Sequence, residues 1–254
     1  MDRPPRRYPR RVNLVAALIV AATFAVLASL LLVRARVPDR WAPVTALARA
    51  AVQLAALVLV LHWIFADIGW VFAWLAVMYV VAVASSARRV GFSRERLLVV
   101  GASIGLAASL TIGAVFASGA FAMTPQYLLA VGGITMGGVM NIASLAIRRL
   151  REQLVDHRDE VEGLLALGAT PREATRRFRS AAVANALFPN LDSTRVTGLV
   201  TLPGSFVGAI FGGADPLEAG VFQLVVLACI ILGGAIAALT ATTLLGSPKT
   251  LPLA

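Results

Sequence analysis

The side chains best placed for chemistry in this sequence stand mostly inside apolar runs. Thr45, Arg49 and Gln53 recur every four residues, which sets them on one face of a helix. Asn141 and Gln223 are single amides within two further runs, and Asp192 and Arg195 flank the expected cytoplasmic entry of another. Polar groups are costly in lipid, so each is a candidate for lining a pathway or holding helices together. Arg49 lies near the start of its run and could instead snorkel to the headgroups. Gln53 is a turn deeper and is expected to face protein. Met78, Met123, Met136 and Met140 carry thioethers that suit soft metal ions, although in an apolar bundle methionine chiefly fills space.

A second constellation is polar, Glu162-Gly163-Leu164-Leu165-Ala166-Leu167-Gly168-Ala169-Thr170-Pro171. Gly168 suits a left-handed helix end. Thr170 suits the N-cap of the next helix, with Pro171 at its first position and Glu173 at its third, a capping box. Two helices are therefore expected to meet in a tight corner at the membrane surface, where a soluble motor could push.

Other chemistries find no support. There is no G-x-x-x-x-G-K-[ST] loop, and the one lysine, Lys249, follows Pro248 near the C-terminus. ATP dependence would have to come from another subunit, and no cofactor is expected in this chain. His62 and His157 are far apart and no C-x-x-C occurs, so a zinc site is not indicated. A G-x-S-x-G elbow is missing too, and nothing favours an enzyme.

The elements that must position these residues follow from composition. Of 254 residues, 59% are hydrophobic and 14% charged, too apolar for a soluble domain. Runs of about 20 uncharged residues are long enough to cross a hydrocarbon core of about 30 Å. The expected fold is all-α, a polytopic transmembrane bundle of about seven spans with a cytoplasmic helix hairpin. The segments are Asn13–Val33, Val44–Ala66, Ile68–Ala87, Leu97–Ala117, Tyr127–Ile147, Val196–Gly213 and Val221–Leu245. They form one permease-sized domain over 1–254, with a basic tail of 12 residues and a cytoplasmic region over 148–195.

The net charge of +10 is nearly all arginine. It is expected to face the cytoplasm and anionic lipid rather than nucleic acid. Basic loops at Arg34–Arg40, Arg88–Arg96 and Arg148–Arg195 alternate with a neutral loop at Gly119–Gln126 and an acidic one at Gly213–Gly220. Seven spans place the C-terminus inside and the N-terminus outside, against the preference of Arg3, Arg6, Arg7, Arg10 and Arg11. Cys229 has no partner for an intrachain disulfide. Gly101 with Gly105, Gly133 with Gly137, and Gly204 with Gly208 and Gly212 allow close helix approach, within the chain or between copies. Pro203 and Gly204 interrupt the sixth segment, as expected of a hinge, a pathway or a simple kink. Arg172, Arg176 and Arg179 share one side of the second cytoplasmic helix, with Arg177 beside them, and suit lipid headgroups or an acidic partner.

The corner resembles the E-A-A-x-x-x-G coupling loop of ABC transporter permeases, with Gly163 and Leu164 where two alanines are usual. Over nearly the whole chain the sequence resembles the FetB-type permeases of bacterial iron-export ABC transporters, whose plant relatives act in aluminium tolerance. The resemblance rests on Arg49-Ala50-Ala51-Val52-Gln53-Leu54, on Leu167-Gly168-Ala169-Thr170-Pro171, and on the long block from Leu191 to Gly204. Gly208 and Asp215-Pro216 continue it. Gly137-Gly138 stands where relatives tend to carry Gly-Asn; Asn141 lies one turn further on.

The resemblance implies two permeases working with two ATPases in the cell membrane and exporting a metal ion such as iron, or another small solute. Glu162, Leu165, Gly168, Ala169, Thr170 and Pro171 would receive the ATPase. Arg49, Gln53, Asn141, Asp192, Arg195, Pro203 and Gly204 would line or gate the path. The alternative is a membrane scaffold that recruits a soluble partner through the basic hairpin and transports nothing.

Overall fold

The computed structural model describes residues 13–246. The arginine-rich tail, Pro248 and Lys249 fall outside the described residues. Contacts divide the chain into two units, Met1–Trp63 and Ile64–Ala254.

The first unit holds α1 (Leu14–Arg34) and most of α2 (Ala42–Ile64). Asn13 caps α1, its side chain accepting from the Ala16 amide at 3.1 Å. The turn between the helices runs through Arg36 and Asp39, both at positive φ. Each helix is long and apolar enough to cross a membrane. Both leave most of their surface uncovered within this chain, as lipid-facing helices do.

The second unit contains α3 (Ile68–Val90), α4 (Arg94–Ala117), α5 (Pro125–Asp156), α6 (Arg158–Ala166), α7 (Pro171–Ala174), α8 (Arg176–Arg195), α9 (Gly204–Phe211) and α10 (Pro216–Leu245). Asp67, Ser93, Thr124 and Asp215 cap α3, α4, α5 and α10 through their side chains. Each supplies an acceptor to an amide that the helix itself cannot satisfy. α5 and α10 run side by side in the same direction, and α3 and α4 pack on them. Met136, Val139, Ala143, Ile104, Ala107, Ala237 and Ala241 share one core cluster. Polar pairs tie α3 to its neighbours. Tyr79 donates to the Gly101 carbonyl at 2.9 Å, and the Ser86 and Ser144 hydroxyls meet at 2.6 Å.

Small residues set the close approaches. A Cβ at Gly138 would lie 2.8 Å from Ile230 Cγ2, and one at Gly233 the same distance from Val139 Cγ2. Gly101 and Gly105 receive the Tyr79 ring, so that expected pair packs within the chain. Gly137, Gly204 and Gly208 have open space beside them. Gly138→Leu is expected to overpack the α5–α10 seam and cost about 1–3 kcal/mol, read as a lower melting temperature in detergent. Gly137→Leu meets nothing and should hold or raise it, since leucine exceeds glycine in helix propensity by roughly 0.8 kcal/mol.

Six helices are long and apolar enough to span: α1, α2, α3, α4, α5 and α10. The sixth expected span, Val196–Gly213, is not a continuous helix. Its regular part is the eight-residue α9, about 12 Å long and too short to cross alone. α5 nevertheless ends at the cytoplasmic corner while α10 begins at the opposite end, where Phe222 stacks with Phe121 and Tyr127. The return crossing is made by α8 and α9 together. Sequence hydropathy missed α8 because its buried stripe, Phe178, Ala182 and Ala186, is narrow and its other faces are polar.

Candidate functional site

The corner has the expected chemistry. α6 ends in a Schellman motif: the Ala169 amide donates to the Leu164 carbonyl and the Gly168 amide to the Leu165 carbonyl, both at 3.0 Å. Gly168 has φ +91°, a conformation that costs an L-residue about 1–2 kcal/mol. Thr170 opens α7 with a complete capping box. Its amide donates to Glu173 Oε2 at 2.8 Å, its hydroxyl to the same oxygen at 2.7 Å, and the Glu173 amide donates back to Thr170 Oγ1. Pro171 occupies the first turn. α7 then passes through Thr175 directly into α8.

These bonds hold the Glu173 carboxyl below its usual range, the Thr170 hydroxyl contributing most and the Thr170 amide next. A depressed carboxyl stabilises the fold above its unfolded value, near 4.5, and loses that contribution as pH falls through the folded value. Glu173→Gln is therefore expected to lower the melting temperature at neutral pH and to converge with the unchanged chain in acid, measured by melting across pH.

The side chains around the corner divide by face. Val161 is buried, and Leu165 packs with Leu150, Leu154, Ala174 and Phe178. Leu165 thus anchors the corner rather than presenting itself to a partner. Glu162 pairs with Arg158 at 2.7 Å, and Arg177 pairs with Glu160 at 2.7 Å while lying over Phe178. Leu167 projects from the tip with 86% of its surface exposed, and Leu164 is exposed beside it. An apolar tip framed by Gly168, Ala169, Thr170 and Pro171 was not singled out in the sequence, although Leu167 adjoins the capping glycine. Of the arginine stripe, Arg172 and Arg176 are exposed, whereas Arg179 is half-buried and donates to the Arg172 carbonyl at 3.0 Å. At the base of α8, the Thr175 hydroxyl donates to the Gly246 carbonyl at 2.5 Å. The corner is thereby joined to the end of α10.

From the corner α8 runs antiparallel to α5 and α10. Phe178 packs with Leu150, Leu154 and Leu245; Ala186 packs with Ile142, Ala146 and Ala238; Ser205 donates to Gln223 Oε1; Phe206 lies by Gly220. α5 enters at Pro125 and meets its first charge at Arg148, a rise of about 34 Å. The Ala186 level is therefore close to the cytoplasmic interface. Asp192 and Arg195 lie about 9 Å and 13 Å further along α8, which carries them well into the hydrocarbon layer. They do not flank the cytoplasmic entry, as the hydropathy boundary suggested; they approach mid-depth, because the crossing begins a helix earlier.

Here the helix breaks. α8 ends at Arg195 and α9 begins at Gly204 after Pro203, whose backbone is extended. Pro203 precedes a helix and does not kink one. Between them the chain closes on itself. The Val196 carbonyl accepts from the amides of Leu199, Val200 and Thr201, and the Gly198 amide donates to the Thr201 carbonyl at 2.8 Å. Gly198 sits at φ +86°. Asp192 and Arg195 pair at 2.7 Å with both side chains largely exposed. The structure thus gathers Asp192, Arg195, Thr197, Thr201, Pro203 and Gly204 at one helix break. Irregular backbone at such depth is tolerated where protein or a water-lined cavity surrounds it.

The other candidates lie elsewhere. Asn141 accepts from Arg89 at 2.8 Å, an α3–α5 tie. Arg49 and Gln53 are exposed on α2, so Gln53 does not face protein within this chain. Met136 is buried in the core with Met78 and Met140 packed against it, and Met123 is exposed. Gln223, buried on α10, holds Ser205 at the start of α9.

No solved structure matches the chain. Among curated proteins it is 34% identical over 201 residues to the UPF0014 membrane protein STAR2 of Oryza sativa subsp. japonica, covering 78% of this chain and 70% of that one. It is 34% identical over 200 residues to Protein ALUMINUM SENSITIVE 3 of Arabidopsis thaliana, covering 77% and 72%. The probable iron export permease protein FetB of Escherichia coli (strain K12) is 31% identical over 124 residues, 49% of this chain and 48% of that one. These relatives bear out the resemblance read from the sequence. The model of the Uncharacterised protein family (UPF0014) matches residues 15–248, and this multi-pass helical membrane protein belongs to that family.

Proposed function

We propose that this chain is the membrane-spanning subunit of an ABC-type exporter of metal cations, driven by a separate ATPase and resident in the cell membrane. The observation that carries the reading is a continuous mechanical path. The capped corner presents Leu167 outward, and α7–α8 leads from it without a flexible linker to the break at mid-depth. A push on the corner would move α8 along α5 and α10, and the break would absorb or transmit that motion. Capping at Gly168 and Thr170 keeps the corner from yielding under load. Asp192, Thr197 and Thr201 are oxygen-bearing groups suited to a passing hard cation, and Gln223 holds α9 through Ser205. FetB supports the choice of iron among such cations.

The test is reconstitution. The chain and an ABC ATPase encoded beside it are placed in proteoliposomes, and ATP hydrolysis and efflux are measured with ferrous iron and other divalent ions. Metal-stimulated hydrolysis with matching efflux is expected. Tight ATPase binding with no metal movement would sink the transport reading in favour of an anchor.

A further inference from the structure

One helix face in the membrane is chemically unfinished. Asn185, Phe188, Pro189, Asp192 and Arg195 follow helical spacing along α8. Asn185, Phe188 and Pro189 are exposed, as are the Asp192 and Arg195 side chains. They lie opposite the stripe of Phe178, Ala182 and Ala186 that packs on α5 and α10. Pro189 removes an amide from the helix and frees the Asn185 carbonyl. The Asp192–Arg195 contact uses one nitrogen and one oxygen, while a guanidinium has five N–H donors and a carboxylate about four acceptor positions. In hydrocarbon the remainder stays unpaired, which is expensive.

The pattern identifies its own complement. A two-fold axis along the membrane normal sets residue i of one copy against j of the other, and j against i. Two parallel α8 helices related in this way bring each carboxylate to the other copy's guanidinium, one turn away. Phe188 then packs near the axis, as aromatic residues do at interface centres. We propose that a second copy of this chain docks on the α8 stripe, with Asp192 of each copy pairing with Arg195 of the other. Each charge then has partners within and between copies, and the contact surrounds the helix break with protein. This deepens the transport reading by naming the second subunit. Association is measured without ATP or metal, so either reading can fail while the other stands.

Differently tagged copies of Asp192→Arg and Arg195→Asp are expressed singly and together, solubilised and captured by one tag. Within one chain each substitution leaves like charges side by side, and mixing does not repair that. Across the axis an Arg–Arg copy complements an Asp–Asp copy. Self-association at least tenfold below the unchanged chain is expected for each alone, with recovery in the mixed pair. Undiminished self-association, or loss with no recovery on mixing, would overturn the proposal and point to lipid, water or another protein on this face. Should either variant fail to accumulate, oxidative crosslinking of Ser193→Cys in a Cys229→Ala background decides. Crosslinked dimer is expected there and not at exposed Leu232→Cys on α10; no crosslink, or equal crosslinking at both, overturns the docking face.

Discussion

Leu167→Asp is expected to uncouple the chain from its ATPase while leaving the bundle intact. Leu167 is the most exposed apolar side chain at the corner and takes no part in the capping bonds, which run through the backbone of its neighbours and through Thr170 and Glu173. Burying a leucine in a partner's groove contributes about 1.5–3 kcal/mol, one to two powers of ten in affinity. Aspartate forfeits that gain and adds the cost of a desolvated charge. A drop in ATPase affinity of tenfold to more than a hundredfold follows, with an unchanged melting temperature, measured by titrating ATPase onto the chain in nanodiscs. Leu165→Asp should behave differently. It places a charge among Leu150, Leu154 and Phe178, so stability falls along with binding. If Leu167→Asp binds the ATPase normally, the tip is not the docking element.

Gly198→Val is expected to abolish most transport without weakening ATPase binding. Gly198 stands at φ +86° in the loop at mid-depth, and open space surrounds the position where a Cβ would be. No clash with neighbours therefore confounds the result; the effect is a backbone one. A left-handed conformation costs ordinary L-residues about 1–2 kcal/mol, and β-branched residues are true outliers there. The loop would relax by breaking the Gly198 amide bond to the Thr201 carbonyl, displacing Pro203 and the start of α9. Efflux from proteoliposomes should fall at least tenfold, while ATPase titration gives the unchanged affinity. Gly198→Asn, which tolerates the left-handed region better, should retain most activity. Equal efflux from all three chains would show that the loop geometry does not matter to transport.

Together the two variants separate the ends of one mechanical element. The first removes the input at the corner and the second the output at the break, with α7 and α8 unchanged between them. The ion pair at Asp192 and Arg195 lies on the output side, where a second copy would also be felt.

Much of the corner was legible in the sequence because capping is local. Gly168, Thr170, Pro171 and Glu173 act on amides and carbonyls within a few residues, so spacing alone identified the motif, and the structure places every one of those bonds. Six spanning helices were legible for a similar reason: an uninterrupted apolar run is its own evidence of burial in lipid. Which leucine points inward was not legible. Leu165 and Leu167 are alike in composition, and only the packing of α6 on the base of α8 separates them.

The return crossing shows the same divide. Sequence alone determined an all-helical membrane chain, a rigid cytoplasmic corner and a proline–glycine interruption, because each follows from hydropathy or from bonds between near neighbours. Tertiary structure alone decided that α8 enters the membrane and carries Asp192 and Arg195 towards its middle. Three small or aromatic side chains fit α8 into the seam between α5 and α10, and that fit depends on helices distant in the chain. A polar helix can be drawn into the bilayer when one narrow stripe finds such a seam, and the polar remainder then has to find a partner there too.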